Sequence, residues 1–212
     1  MDIDKIENKE QKLVLAKMIA KKVEDGQTIG FGSGSTSYLA AIEIGKLAKE
    51  NGLKITAIPT SKDIENVCKE YGINVGNLLE DDIDWAFDGA DEVDENNNMI
   101  KGMGRAMFKE KLNVVSSPIT YILVDETKFV KELGEKHPVP VEVFPSAMKF
   151  VSNELTKLGA IETVYRGMTE NDNAILDTKF EKIDESLEKK IKEIPGVIES
   201  GLFFNYNVEI LK

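Results

Sequence analysis

Residues 28–40, TIGFGSGSTSYLA, place three glycines, three serines and two threonines between two apolar flanks. The flanks decide how the run is read. TIGFG has the character of a short buried strand, and residues 35–52, STSYLAAIEIGKLAKENG, have the spacing of a helix that stops at Gly52. A strand that turns through glycines and hydroxyl residues into a helix presents backbone N–H groups and the positive end of a helix dipole, which suits an anion such as a phosphate monoester. Taken alone, the run reads equally well as a Ser/Thr helix cap with glycines serving only the turn.

Outward from that run, the pattern repeats. An amphipathic helix carrying Ile6, Leu13, Val14, Ala16, Ala20 and Val23 precedes it and is expected to end near Asp25-Gly26. After it, 53–61 reads as a strand, 62–72 as a helix, 83–93 (IDWAFDGADEV) as a third strand running into an acidic loop, 104–116 as a helix and 119–128 as another strand. Strands alternating with helices predict a parallel sheet with right-handed crossovers. Beyond about residue 130 the rhythm changes. HPVPVEVFP (137–145) carries three prolines and breaks the alternation, and a helix (146–159), two short strands (161–167, 173–180) and a helix (184–196) follow. The last stretch, 201–212, is apolar enough to return to the main sheet. The expected fold class is α/β: a Rossmann-like parallel-sheet domain of residues 1–130 plus 205–212, with a smaller α+β lobe of 131–204.

Composition narrows the function. The chain has 212 residues, 42% hydrophobic and 31% charged, with 27 Lys plus Arg against 38 Asp plus Glu, a net charge of −11. No broad basic face is available to grip nucleic acid. A lone Cys68 reads as a small apolar residue on a helix and fits a reducing cytoplasm. The charged N-terminus is not that of a secretory leader, and no apolar run is long enough to span a membrane. With one histidine, His137, a His-rich metal cage is excluded. The glycine run also fails as a dinucleotide fingerprint, because the third glycine falls on Ser35 or Ser37, and it has no P-loop lysine.

Three further clusters carry chemistry. In DGADEV (88–93), Asp88 and Asp91 flank Gly89 and Ala90 at an expected strand end, where ligands of open α/β sheets bind. Two carboxylates facing one pocket would push one pKa up, leaving an acid and a base; an Asp-Gly turn with solvated acids is the plainer alternative. In IKGMGRAMFKEK (100–111), Lys101 precedes Gly102, Met103 and Gly104, and Glu110 lies about two turns into the expected helix between Lys109 and Lys111, a charge run that by itself suggests a solvated face. VDETK (124–128) closes a strand with Lys128 as a candidate phosphate partner.

In this order, GSGST, DGADEV, KGMG, KEK, VDETK and PVPVEVFP, followed by LTKLGA, NDNAILD and IPGVIESGLF, closely resemble the type A ribose-5-phosphate isomerases along nearly the whole chain. The resemblance implies a metal-free, cofactor-free aldose–ketose isomerase acting on a small sugar phosphate in the cytoplasm, as a homodimer or homotetramer. It matches Glu110 to the catalytic base and Asp88, Asp91 and Lys101 to the other catalytic polar residues. It matches Ser33, Gly34, Ser35, Thr36, Gly89, Ala90, Gly102, Met103, Gly104, Lys128 and Lys12 to substrate and phosphate contacts. Departures are Ser33 where the family usually has Thr, Met103 where it has Gly, Arg105 where small residues are common, and a shorter C-terminal tail. Two rivals on the same scaffold are a sugar-phosphate sensor without turnover and a deaminase-like enzyme, which would be expected to use a site histidine.

Overall fold

A computed structural model describes Met1 and residues 3–212. In chain order it contains α1 (Lys9–Ala20), β1 (Thr28–Phe31), α2 (Gly34–Asn51), β2 (Thr56–Pro59), α3 (Lys62–Glu70), β3 (Asn74–Val75), β4 (Trp85–Asp88), β5 (Glu92–Val93), β6 (Met99–Ile100), α4 (Met107–Ser116), β7 (Thr120–Leu123), β8 (Val139–Val143), α5 (Met148–Lys157), β9 (Ala160–Met168), β10 (Ala174–Phe180), α6 (Glu185–Lys192), β11 (Val197–Ser200), β12 (Leu202–Phe203) and β13 (Val208–Leu211). Two compact units share them.

The first unit comprises Met1–Gly89, Lys109–Thr127 and Asn207–Lys212. Its sheet runs β13-β7-β4-β1-β2-β3, and each neighbouring pair is parallel. The inner strands β7, β4, β1 and β2 are largely buried, as parallel strands covered by helices must be. Ile29, Phe31, Ala57 and Phe87 are fully buried with Ala40 and Ile44 of α2, and the Phe31 and Phe87 rings meet edge-on at 4.8 Å. Successive β-α steps from β1 build outward to β2 and β3, and the chain then returns to place β4 on the other side of β1. The carboxyl ends of β1 and β4 therefore form a topological switch point, where the connections diverge and leave a crevice.

The second unit comprises Ala90–Phe108 and Lys128–Tyr206. Its four-stranded sheet, β11-β8-β10-β9, and its three-stranded sheet, β12-β6-β5, are antiparallel. Val139, Val141 and Val143 enter one core with Ile100, Leu176 and Leu202, closed by Val151 and Leu155 of α5 and Leu187 and Ile191 of α6.

The third strand ends at Asp88 and runs into the acidic loop as expected, and there Glu92–Val93 add a short strand to the three-stranded antiparallel sheet. Two expectations need correction. The proline-rich stretch is not merely a rhythm-breaking crossover, because Val139–Val143 form an inner strand whose period-2 valines outweigh Pro140. Pro140 donates nothing but its carbonyl accepts from Gly201 N–H at 2.7 Å. The first helix stops at Ala20 rather than near Asp25. The C-terminal stretch does return to the parallel sheet, as β13 beside β7. Cys68 is buried in α3 and burial pushes its thiol up to about 12. No helix among the described residues is long and apolar enough to cross a membrane.

Gly45 tests how tightly the first unit is packed. Alanine in a helix interior normally gains about 1 kcal/mol over glycine. Here a Cβ would lie 2.5 Å from Tyr71 Cγ. Gly45→Ala should therefore reverse the usual sign and destabilise by about 1–3 kcal/mol, read as a lowered thermal midpoint.

Candidate active site

The glycine run folds around one carboxylate. Asp88, the last residue of β4, is 3% exposed. Its Oδ1 accepts from Ser33 N–H at 3.0 Å, Ser37 Oγ at 3.2 Å and Gly89 N–H at 2.8 Å. Such contacts to an ionised acceptor are worth about 1.5–3 kcal/mol each. Gly32 is required for this arrangement, because a Cβ there would sit 2.1 Å from Asp88 Cγ. Ser33 is extended and Gly34 takes φ +83°, a sharp reversal that opens α2.

The plain capping reading of the run does not hold. Ser33 occupies the cap position of α2 without a side-chain cap bond; its hydroxyl instead meets Thr60 Oγ1 at 2.5 Å, at the end of β2. Lys12 on α1 is buried and its Nζ donates to Ser35 Oγ at 2.9 Å. The first unit therefore brings together Lys12, Ser33, Gly34, Ser35, Thr36, Asp88 and Gly89 at the carboxyl edge of its sheet. Thr60 and Ser37 also belong to this arrangement, and sequence reasoning missed both. Ser37 lies in the same hydroxyl run, and Thr60 ends the strand next to β1, so the strand order identifies it once known.

Glu110 is 4% exposed and Lys111 6%, so the KEK stretch is not a solvated face. The helix begins at Met107, which puts Glu110 in the first turn rather than two turns in, where the helix dipole favours a carboxylate. One turn on, Asn113 donates to the Ile58 carbonyl at 2.8 Å, and its Nδ2 would be 3.1 Å from a Cβ on Gly30. Glu110 shares that inward face, one turn nearer the helix N-terminus.

In the second unit, Asp91 follows Ala90 and accepts from Met103 N–H at 3.0 Å. Its carboxyl is held above the usual range mainly by burial, opposed by the Met103 N–H and by the charges of Lys101, Lys128 and His137. Burial, rather than paired like charges, is the leading cause. Lys101 is 2% exposed, with Nζ 5.6 Å from the Phe203 ring centre. Gly102 has φ +97°, and a Cβ there would lie 2.7 Å from Met107 Cβ; Gly104 has open space around it. Lys128 ends a short 3-10 turn, Glu126–Lys128. His137 sits in a loop whose N–H groups at Gly134, Lys136 and His137 all donate to the buried Glu92 at 2.6 Å.

A raised carboxyl pKa means that the folded state holds the Asp91 proton more tightly than the unfolded chain does. The charged form costs stability above the ordinary carboxylate range, and that cost disappears as pH falls below it. Asp91→Asn should raise the thermal midpoint at pH 7, with the difference from the parent shrinking as pH approaches about 4. A constant difference across that window would assign the effect to packing.

Comparison with known proteins bears on what these residues do. Residues 56–211 match the model of the family described as ribose 5-phosphate isomerase A (phosphoriboisomerase A). The chain is 42% identical to ribose-5-phosphate isomerase A of Methanocaldococcus jannaschii over 92% of this chain and 91% of the relative, and 39% identical to that of Oceanobacillus iheyensis over 96% and 95%. Among solved structures, the M. jannaschii isomerase superposes with a TM-score of 0.91 at 41% identity, covering 96% of this chain and 95% of that one. A D-ribose-5-phosphate isomerase in complex with phospho-erythronic acid gives 0.91 at 37%, covering 97% and 95%. Matched over most of its length by the family model and by relatives near 40% identity, this chain belongs to the ribose 5-phosphate isomerase A family.

Proposed function

We propose that this chain interconverts D-ribose 5-phosphate and D-ribulose 5-phosphate through an enediolate. Family membership along nearly the full length is the observation that carries the reading. The isomerisation moves a proton between adjacent carbons, and this reading calls for no cofactor or metal. Glu110 takes the proton from C2 and returns it to C1. A positioned general base contributes roughly 10²–10⁴-fold, and Glu110 is buried in the first turn of α4.

Lys101, with the amides of the 102–104 loop, stabilises the oxyanion that develops on the substrate, where one placed donor is worth about 3–4 kcal/mol. Asp91, whose pKa burial raises, exchanges protons with the substrate hydroxyls and assists ring opening. Asp88 shares the hydroxyl chemistry and shapes the 33–37 turn. Ser33 to Thr36, at the amino end of α2, take the phosphate with Lys128 and Lys12, and Gly89 and Ala90 give the substrate close backbone approach. Remote phosphate binding positions the reacting carbons.

We propose that residues 1–130 plus 205–212 carry the catalytic side chains and that 131–204 form a smaller lobe; of the site residues, Ala90, Asp91, Lys101, Gly102, Met103, Gly104 and Lys128 belong to the second compact unit. We place the enzyme in the cytoplasm, as a homodimer or homotetramer. The sensor reading is disfavoured because the full set of acids is present in a chain whose matching relatives are isomerases. The deaminase-like reading is disfavoured because the matching family model and relatives are ribose 5-phosphate isomerases.

Incubating the purified chain with ribose 5-phosphate should yield ketose; no ketose overturns the assignment. Glu110→Gln should lower kcat by at least ~10²-fold without moving the thermal midpoint appreciably, and near-parental turnover would remove Glu110 as the base. Lys128→Ala should chiefly raise KM for ribose 5-phosphate, by ~10-fold or more, since losing a charge-assisted contact costs about 1.5–3 kcal/mol. An unchanged KM would take Lys128 out of the phosphate site.

A further inference from the structure

The 102–104 loop is held by a residue no sequence motif indicated. Arg166, on β9, donates through Nη1 to the Met103 carbonyl at 2.5 Å and through Nη2 to the Gly102 carbonyl at 3.1 Å. Its Nε lies 2.6 Å from Asp177 Oδ2 on β10, and both side chains are largely buried, at 19% and 14% exposure. A guanidinium paired with a carboxylate and donating to two successive carbonyls holds both in a fork that an ammonium cannot reproduce.

The consequence lies on the other edge of each peptide. In a planar trans peptide the carbonyl and the following N–H point in opposite directions. Drawing the Gly102 carbonyl to Arg166 turns the Met103 N–H away from it, and that N–H is the one that donates to Asp91 Oδ2 at 3.0 Å. Drawing the Met103 carbonyl to Arg166 likewise turns the Gly104 N–H away, and it donates to no group among the described residues. The Gly102 carbonyl also accepts from Arg105 N–H at 2.9 Å, closing a tight turn in which Arg105 takes φ +65°. Only glycine adopts such a φ without cost, so the turn is strained and needs an external hold. Gly104 and Arg105 are exposed and offer no apolar anchor of their own.

We propose that Arg166, fixed by Asp177, is a positioning residue for the isomerisation: it sets the two peptides of the 102–104 turn so that Met103 N–H stays on Asp91 and Gly104 N–H stands ready as a donor to the developing oxyanion. This rests on the isomerase reading above. Arg166 touches carbonyls of the chain and no reacting atom, so its contribution is to transition-state stabilisation rather than to substrate affinity.

Two readouts test it. In the unliganded protein, Arg166→Ala should speed hydrogen exchange of the Met103 amide by ~10-fold or more, with Arg166→Lys in between, because the fork and not bulk packing protects it. In steady-state kinetics, Arg166→Ala should lower kcat by roughly 10–100-fold with KM for ribose 5-phosphate within about twofold of the parent, and Asp177→Asn should lower it in the same direction but less. Unchanged Met103 exchange, a folded Arg166→Ala variant with near-parental kcat, or a change confined to KM would each overturn the proposal. A parent chain that forms no ketose overturns the isomerase reading instead, and the exchange measurement still decides whether Arg166 sets the turn.

Discussion

One carboxylate oxygen organises the carboxyl edge of the parallel sheet. Asp88 Oδ1 gathers the Ser33 N–H, the Ser37 hydroxyl and the Gly89 N–H, and thereby joins the ends of β1 and β4 across the switch point of the strand order. Everything about the turn follows from it. Gly32 must lack a side chain, Ser33 must be extended, and Gly34 must reverse the chain so that α2 starts with its amino end at the crevice. Three hydrogen bonds to one buried carboxylate are also what make a charge tolerable there, since burying it unpaired would cost several kcal/mol.

The same logic separates the other acids. Glu110 is buried in the first turn of a helix, where the dipole offsets part of its desolvation. Asp91 is raised by burial despite the cations around it. An isomerase requires both a group that takes a proton and a group that gives one. The net charge of −11 makes the local lysines more consequential. An anionic substrate must be drawn in by local cations and oriented backbone amides against the field of the whole chain.

Much of this was legible in the sequence because it is local. The strand–turn–helix at 28–52, the parallel alternation and the return of the last strand all follow from periodicity and turn chemistry within a few residues. What was not legible depends on register and on distance along the chain. The DGADEV run reads as a single strand end, since nothing in its pattern marks that Gly89 closes one unit and Ala90 opens the next. Pro140 reads as a breaker, because a sequence does not show that valines on alternate positions on both sides of it face a common core. The KEK triplet reads as surface, because burial of Glu110 is decided by where α4 begins and which strands Asn113 meets. Arg166 lies more than sixty positions from the carbonyls it holds, and no spacing rule connects them.

The account stands or falls on proton transfer by a carboxylate between neighbouring carbons of the sugar. Running the reaction in heavy water and locating the label in the ribulose 5-phosphate formed tests that directly. Deuterium in at least part of the C1 position is the predicted result, because a proton held on a carboxylate exchanges with solvent in a fraction of turnovers before it is returned. Product that carries the original C2 hydrogen quantitatively at C1, with no solvent label, would contradict it and point to direct hydride movement.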